Sequence, residues 1–445
     1  MAGYLHLTSI DLNKGVAIFW FRRDLRLEDN TGLSAALKSG YPVLAVFIFD
    51  TEILDGLPED DARVSFIYNK VRDLNNTLRD TSGSSMAIYY GRPAEVFEGL
   101  LKDFDVRAVY ANHDYEPYAR ERDAAVAGLL NTRGIGFHTF KDQVIFEKDE
   151  LLKEDGDPYV VYTPYMRKWK AALDAGGLPE IHHAPSYQGR FLQQQFTIPD
   201  LSELGFKPSP VQVPDYELHA GLIRNYEDKR NFPAMNGTTR LGPHLRFGTV
   251  SVRQVLLKVL KEKNESLLNE LIWREFFMQI LWHFPNTVNE SFKKKYDRIP
   301  WRNDLAEFEK WKQGETGFGL VDAGIRQLNQ TGYMHNRVRM LVASFLCKHL
   351  LIDWRWGEAY FAEKLLDYEL SSNVGNWQWA AGSGVDAAPY FRIFNPITQA
   401  NKFDPGLEYT KQWVPEFGTD GYVDEMVDHK MARERCLKTY KAALD

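Results

Sequence analysis

Cysteine is scarce. The 445-residue chain has two, Cys347 and Cys436, too few for a disulfide framework or a four-cysteine zinc site, so neither secretion nor structural zinc is expected. No run reaches the ~18 apolar residues of a membrane span, and the stretch Met1–Gly15 lacks a basic start followed by an apolar core, so a cytoplasmic protein is expected. Positive charge is in deficit. The 54 Lys and Arg against 61 Asp and Glu leave a net charge of −7, which argues against wholesale wrapping of nucleic acid and requires any DNA contact to use a local basic face. No glycine-rich dinucleotide loop or phosphate loop follows a predicted strand; Gly314, Gly317 and Gly319 lie far from the strands. Neither His335 nor His349 has a metal-ligand partner at a familiar spacing, so no metal is expected.

The length predicts two or three domains at roughly 150 residues each. Apolar residues at 44% and charged residues at 26% describe a folded globular chain. The aromatic residues are unevenly spread: nine of the 11 Trp lie beyond residue 270.

The first third alternates short apolar runs with helix-like stretches, a pattern of parallel strands joined by crossover helices. Gly15–Phe21, Pro42–Phe49, Met86–Tyr90 and Val106–Ala111 are expected strands. Asp29 and Asn30 can cap a helix through Leu33–Leu37, and Pro93 sits near the start of another. An α/β domain with a parallel, doubly wound sheet is expected over 1–135, binding at the carboxyl ends of its strands near Arg22–Asp24, Asp50 and Asn112–Tyr115. A long linker is expected over 136–208, where Pro, Gly and polar clusters show little periodicity. An all-α domain is expected over 209–445, with helices at Ser266–His283, Gly319–Gln330, Asn336–His349 and Tyr360–Leu366.

Three segments could carry chemistry. Helical spacing puts Glu270, Trp273 and Arg274 on one face: an acid, a large ring and a guanidinium, or simply a core Trp beside an intrahelical ion pair. In Tyr333–Met340, Asn336 and Met340 share a face while Arg337 and Arg339 point elsewhere. With Arg326, Lys348 and Arg355, and with Lys293–Lys295, Arg298 and Arg302, they form a candidate phosphate-binding surface or a solvated charged face. In Asp367–Trp379, about 200° of rotation separates Trp377 from Trp379, which therefore serve different neighbours, with Asn373 under Trp377. Two Trp beside Asn, Gln and acids need satisfied polar partners, which suits a cofactor pocket.

These segments occur in order with Trp20–Arg26, Gly237–Leu241, Trp377-Gln378-Trp379 and Tyr390–Pro396. The ordered set resembles the photolyase/cryptochrome family, and within it the class I cyclobutane pyrimidine dimer photolyases, over nearly the whole chain. The resemblance implies FAD folded into a U in the helical domain, its phosphates held by Thr238, Thr239, Arg240 and Leu241 near Tyr226. It implies Arg339 and Asp367 as a charge pair beneath the flavin ring, Arg274 and Glu369 as further contacts, and Asn373 as partner of flavin N5, where an amide can accept or donate. It implies UV-damaged DNA as substrate, with the dimer flipped out of the duplex. Trp273 and Trp379 would wall the pyrimidine rings, Asn336 and Glu270 would hydrogen-bond base edges, Met340 would pack below, and Arg230 and Arg337 would grip flanking phosphates. Trp377, Trp354 and Trp301 match the family's electron-conducting tryptophans. An antenna chromophore is implied in a cleft of the α/β domain, with Asn112–Glu116 as its wall; methenyltetrahydrofolate is favoured over 8-hydroxy-5-deazaflavin.

The chain departs from the family pattern at Glu369, where many members have Asp, at Gly242, where Ser is frequent, and at Leu267, where some have an aromatic residue. The histidine pair that marks repairers of the (6-4) photoproduct is absent, since the place reads His335-Asn336-Arg337. The rival readings are a signalling cryptochrome without repair activity and an electron-transfer flavoprotein with purely structural tryptophans. Plant-type cryptochromes usually replace the second Trp of Trp-Gln-Trp, whereas Trp379 is kept here. A monomer is expected.

Overall fold

The computed structural model describes residues 15–183 and 189–445. The stretch before Gly15 and residues 184–188 of the expected linker lie outside the described residues. The chain separates into two compact units, each drawn from three segments. One comprises the chain up to Glu147 with Gly177–Asp215 and Leu241–Leu257; the other comprises Lys148–Gly176, Tyr216–Arg240 and Lys258–Asp445.

The first unit is built on a parallel sheet of five strands, β1 (Val16–Phe21), β2 (Val43–Asp50), β3 (Ala87–Gly91), β4 (Val106–Asn112) and β5 (Gly136–Phe140), in the order β3-β2-β1-β4-β5. β1 and β2 are buried at every position, as uninterrupted apolar runs require when a sheet is covered on both faces. The Thr31–Leu37 helix starts where Asn30 accepts a hydrogen bond from the Leu33 N–H at 3.1 Å. At the switch between β1 and β4, Asn112 donates to Asp24 at 2.5 Å and to Asn30 at 2.8 Å, and accepts from the Gly32 N–H. These bonds tie the carboxyl end of β4 to the Thr31–Leu37 helix, beside the strand ends where such sheets usually bind ligands. A buried charge cluster anchors the Leu241–Leu257 segment: Arg253 pairs with Asp29 at 3.0 Å and with Asp142 at 2.8 Å, and Arg26 with Asp142 at 2.5 Å.

The region 136–208 is not one linker, and the sheet does not end at 135. β5 was missed because it is an edge strand with His138 and Thr139 exposed, so no apolar run announces it. Tyr162–Gly176 is a helix of the second unit that buries Tyr162, Tyr165, Trp169 and Leu173, a helical stripe hidden among polar residues. The stretch after Arg190 returns to the sheet, where Phe191 enters the core and the Val43 N–H donates to the Arg190 carbonyl.

The second unit is helical throughout its described elements. The expected helix over Asn336–His349 is α-helical only to Ser344 and continues as a wider π turn, Phe345–Leu350. Within it the buried Lys348 ammonium reaches the carbonyls of Ala381 at 2.9 Å and Tyr390 at 3.2 Å, the partners a buried charge demands. The helix expected at Tyr360 instead starts at Trp354, where Asp353 caps it, and ends at Lys364.

Candidate functional site

The Glu265–His283 helix begins where Asn264 accepts from the Leu267 N–H at 2.8 Å. Glu270 turns away from the intrahelical pair open to it and binds Arg230 at 2.5 Å. That guanidinium also lies over the Tyr226 ring at 5.4 Å. Burial and then the Glu270 charge raise the Tyr226 hydroxyl above its ordinary pKa. Trp273 is stacked on Tyr162 with centroids 3.6 Å apart and planes within 5°.

Three further segments, Asn336–Ser344, the region from Phe361 to Tyr368, and Leu370–Ala381, line an open cavity of about 590 Å³, solvent at its mouth included. Its lining includes Asn336, Arg339, Met340, Asp367, Glu369, Asn373, Trp377 and Trp379. Residues 30 and more apart in sequence thus converge on one space. Arg339 bonds Asp367 at 2.9 Å; burial works against its charge, but Asp367 keeps its pKa above the ordinary guanidinium value. Trp377 and Trp379 diverge as their spacing requires: Trp377 is buried against Phe361 at 4.9 Å and Trp311 at 6.3 Å, while Trp379 is half-buried. Asn373 donates through Nδ2 to the Glu358 backbone at 3.1 Å and carboxyl at 2.9 Å.

Two features of the lining fit a flavin-like ligand. Asp367 Oδ1 is buried without a hydrogen-bond partner, an unmet acceptor that an N–H or O–H of a ligand would satisfy. Asn373, also in the lining, has its amide N–H group committed to Glu358, which leaves its carbonyl oxygen as the group it can offer a ligand.

The remaining expected residues lie elsewhere. Glu270, Trp273, Arg274, Arg230 and Arg337 are not part of the cavity wall. Arg337 bonds Asn231 at 2.6 Å and lies over Phe403 at 4.3 Å, with its Nε unpartnered. In the Thr238–Leu241 stretch, Thr238 meets the Tyr333 hydroxyl at 3.3 Å, the Thr239 carbonyl accepts from Glu217, Arg240 is exposed with a φ of 53°, and Leu241 is buried. Trp354 is buried beside the Arg355 guanidinium at 4.7 Å, and Trp301 packs edge-on to Tyr440 at 5.9 Å. Among the described residues neither makes a ring contact with Trp377.

The α/β unit has its own open cavity, about 800 Å³ with the solvent at its mouth included, at the carboxyl ends of β1 and β2. Trp20, Phe47 and Phe49 contribute apolar surface, with Arg22, Asp50, Asp114, Glu116, Tyr118 and Arg122 among the polar lining. Of the expected wall Asn112–Glu116, Asp114 and Glu116 reach it; Asn112 and Tyr115 do not, being bonded to Asp24 and Glu147. Arg22 and Arg122 stand over Trp20 at 4.8 and 5.0 Å, and Tyr118 donates to Asp50 at 2.6 Å. Sequence reasoning missed Tyr162, Trp311, Glu358 and Tyr118; a residue whose role is set by a partner far along the chain leaves no local pattern.

Comparison with known proteins matches residues 17–186 to the family described as DNA photolyase and residues 267–420 to the FAD binding domain of DNA photolyase. The chain is 38% identical to the deoxyribodipyrimidine photo-lyase of Halobacterium salinarum, over 96% of this chain and 99% of that protein. It is 35% identical to the Escherichia coli protein of the same name, over 96% and 98%. Among solved structures it is similar to a class III photolyase from Agrobacterium tumefaciens, with a TM-score of 0.86 and 33% identity over 98% of both chains. It is also similar to a Synechocystis cryptochrome, with a TM-score of 0.84 and 27% identity over 95% of this chain and 99% of that one. With both domains matched and relatives this similar along nearly their full length, the chain belongs to the DNA photolyase family.

Proposed function

We propose that the protein repairs cyclobutane pyrimidine dimers in UV-damaged DNA, using light absorbed by FAD bound in the helical unit. The carrying observation is that residues assigned to the flavin (Arg339, Asp367, Asn373, Trp377) and residues assigned to the damaged bases (Asn336, Met340, Trp379) line one cavity. The same lining would thus serve both the cofactor ring and the damaged bases.

Bound FAD, once reduced, supplies the light-driven electron; the protein binds, orients and excludes water. Arg339 and Asp367 hold the ring system, with Arg274 and Glu369 as further contacts. Tyr226, Thr238, Thr239, Arg240 and Leu241 hold the phosphate end, where backbone N–H groups and short polar side chains suit an anion. Asn373 presents its carbonyl oxygen and accepts a hydrogen bond. Trp379 and Trp273 flank the pyrimidine rings, Met340 packs against them, and Asn336 and Glu270 bond the base edges. Glu270, held by Arg230, acts as a hydrogen-bond acceptor toward the N–H groups of the base edges. Arg230 and Arg337 contact the flanking phosphates. Trp377, Trp354 and Trp301 form the route by which electrons from the surface reach the cavity.

For the antenna we favour a deazaflavin or a flavin over the folate expected above. The support is a cavity inside the α/β unit with aromatic rings on its walls, together with one relative. A similar photolyase from Sulfolobus tokodaii, with a TM-score of 0.84 and 33% identity, is described with two FAD molecules and the implication of a novel light-harvesting cofactor. No described helix is long and apolar enough to cross a membrane, and the proposal is of a cytoplasmic monomer. The likeness to a cryptochrome supports a second reading, a blue-light receptor without repair. Illumination of the reduced protein with dimer-containing DNA separates the two, since only the enzyme restores the pyrimidines.

A further inference from the structure

The Tyr162–Gly176 helix runs beside the helix that carries Glu270 and Trp273, and it is fastened at several points. Trp169 donates to Glu275 at 2.6 Å, Gln279 donates to the Tyr159 carbonyl at 2.7 Å, and the Tyr165 ring meets Phe276 at 5.3 Å. At its first residue, Tyr162 lies flat on Trp273, 3.6 Å away and within 5° of parallel. Its hydroxyl donates at 2.9 Å to the carbonyl of Asn269, the acceptor that helix geometry assigns to the Trp273 N–H. Tyr162 therefore holds Trp273 both by its ring and through the turn that bears it.

Trp273 has Phe276 edge-on at 5.6 Å and Phe277 tilted by 29° at 5.5 Å. With Tyr162 on one face, the indole cannot rotate freely, and only its half-exposed remainder is open. Glu270 and Arg230 are the charges that act on the Tyr162 hydroxyl, so this stack stands among the residues assigned to damaged bases. Rings in direct face-to-face contact at this distance restrict each other's plane as well as position.

We propose that Tyr162 is a substrate-positioning residue that backs Trp273 and sets the plane against which a flipped pyrimidine stacks. The inference rests on the reading that Trp273 faces the dimer. The test is a dark titration of FAD-loaded protein with a fluorescent duplex containing one thymine dimer, beside the same duplex undamaged, for wild type, Tyr162→Phe, Tyr162→His, Tyr162→Leu and Trp273→Ala. Tyr162→Phe, which keeps the stack and loses only the bond to Asn269, should lose less than Tyr162→Leu, which should lose about five- to tenfold for dimer DNA, the fold-change equal to one aromatic pair, with undamaged DNA unchanged in both. Tyr162→His, with a smaller ring, should fall between them and keeps the order readable if the Leu variant does not fold. Unchanged dimer affinity in the His and Leu variants, or equal losses on both duplexes, would overturn the proposal. If Trp273→Ala alone weakens dimer binding, the pocket reading stands and only the role of Tyr162 falls; if Trp273→Ala also changes nothing, the pocket reading itself falls.

Discussion

Asn373 and Glu358 are bonded twice: the asparagine amide N–H group donates to the glutamate backbone oxygen at 3.1 Å and to its carboxyl at 2.9 Å. The double contact fixes the flip of the amide. Of the two roles open to an asparagine beside flavin N5, donor or acceptor, this leaves acceptor, which favours the protonated, reduced ring. Burial raises the Glu358 pKa, and the carboxyl accepts from Asn373 in either protonation state. Glu358→Leu should free the amide and lower the reduction potential of bound flavin by the equivalent of about 1 kcal/mol, one hydrogen bond. Glu358→Gln, which keeps an acceptor, should shift it less. A spectroelectrochemical titration checks both; an unmoved potential in Glu358→Leu would show that Asn373 is oriented by something else.

The two arginines assigned to phosphates differ in how far their charge is already matched. Arg230 is paired with Glu270, whereas Arg337 has an amide and a ring as neighbours and an unpartnered Nε. Each phosphate contact contributes about 0.9 to the slope of log affinity against log salt. Arg337→Ala should lower the slope by close to that amount, and Arg230→Ala by clearly less. Binding titrations across salt concentrations decide it, and equal slopes in the two variants would contradict the difference in pairing.

His335 caps the Asn336–Ser344 helix, its Nδ1 accepting from the Arg337 N–H at 3.2 Å. Burial first, then Arg339, Arg337 and Arg230, push its pKa down to about 4. An unfolded histidine titrates near ~6.5, so between these values the unfolded chain binds the proton that the folded chain refuses. Stability is therefore present above pH ~6.5 and is lost as pH falls toward 4, by about 2 kcal/mol from this residue between pH 6.5 and 5. His335→Asn keeps a capping acceptor and should flatten that part of the curve in urea unfolding at pH 7 and pH 5. Identical pH slopes in variant and parent would contradict the assignment.

Much of the architecture could be read from local pattern. Four of the five strands were expected within a residue or so of their observed limits, because a fully covered parallel sheet needs unbroken apolar runs. β5 escaped because its edge position leaves His138 and Thr139 in water. Within the site, helical spacing correctly separated Trp377 from Trp379. Pairings between elements were out of reach: Glu358 with Asn373, Arg230 with Glu270, and Tyr162 with Trp273 join residues 15 to 111 positions apart. The convergence of Asn336, Asp367 and Trp379 on one space came from family resemblance, since no spacing rule connects them. The π turn at Phe345–Leu350 was hidden for a related reason, as the carbonyls that Lys348 reaches lie 33 and 42 residues away.

Trp377 and Trp379 line the same cavity but differ in surroundings, one buried against Trp311 and Phe361, the other half-buried. Trp377→Phe should abolish light-driven reduction of bound flavin while leaving repair by chemically reduced protein mostly intact. Trp379→Ala should weaken dimer binding by about 1–3 kcal/mol, the range for losing one stacked base, and leave flavin photoreduction in place. Steady illumination followed by absorbance, beside a binding titration, reads both effects. Equal loss of both activities in either variant would contradict the division of labour.

The central claim, that one cavity joins a light-driven cofactor to a flipped pyrimidine dimer, is tested most directly by single-turnover illumination. Purified protein with chemically reduced FAD is mixed in the dark with an oligonucleotide carrying one cyclobutane thymine dimer, exposed to blue light, and the DNA is analysed for intact thymines. The account predicts restoration in light and none in darkness, with yield per photon reduced in Glu270→Ala more than in Glu270→Gln. Protein that binds FAD and absorbs the light, yet leaves every dimer closed, would contradict it.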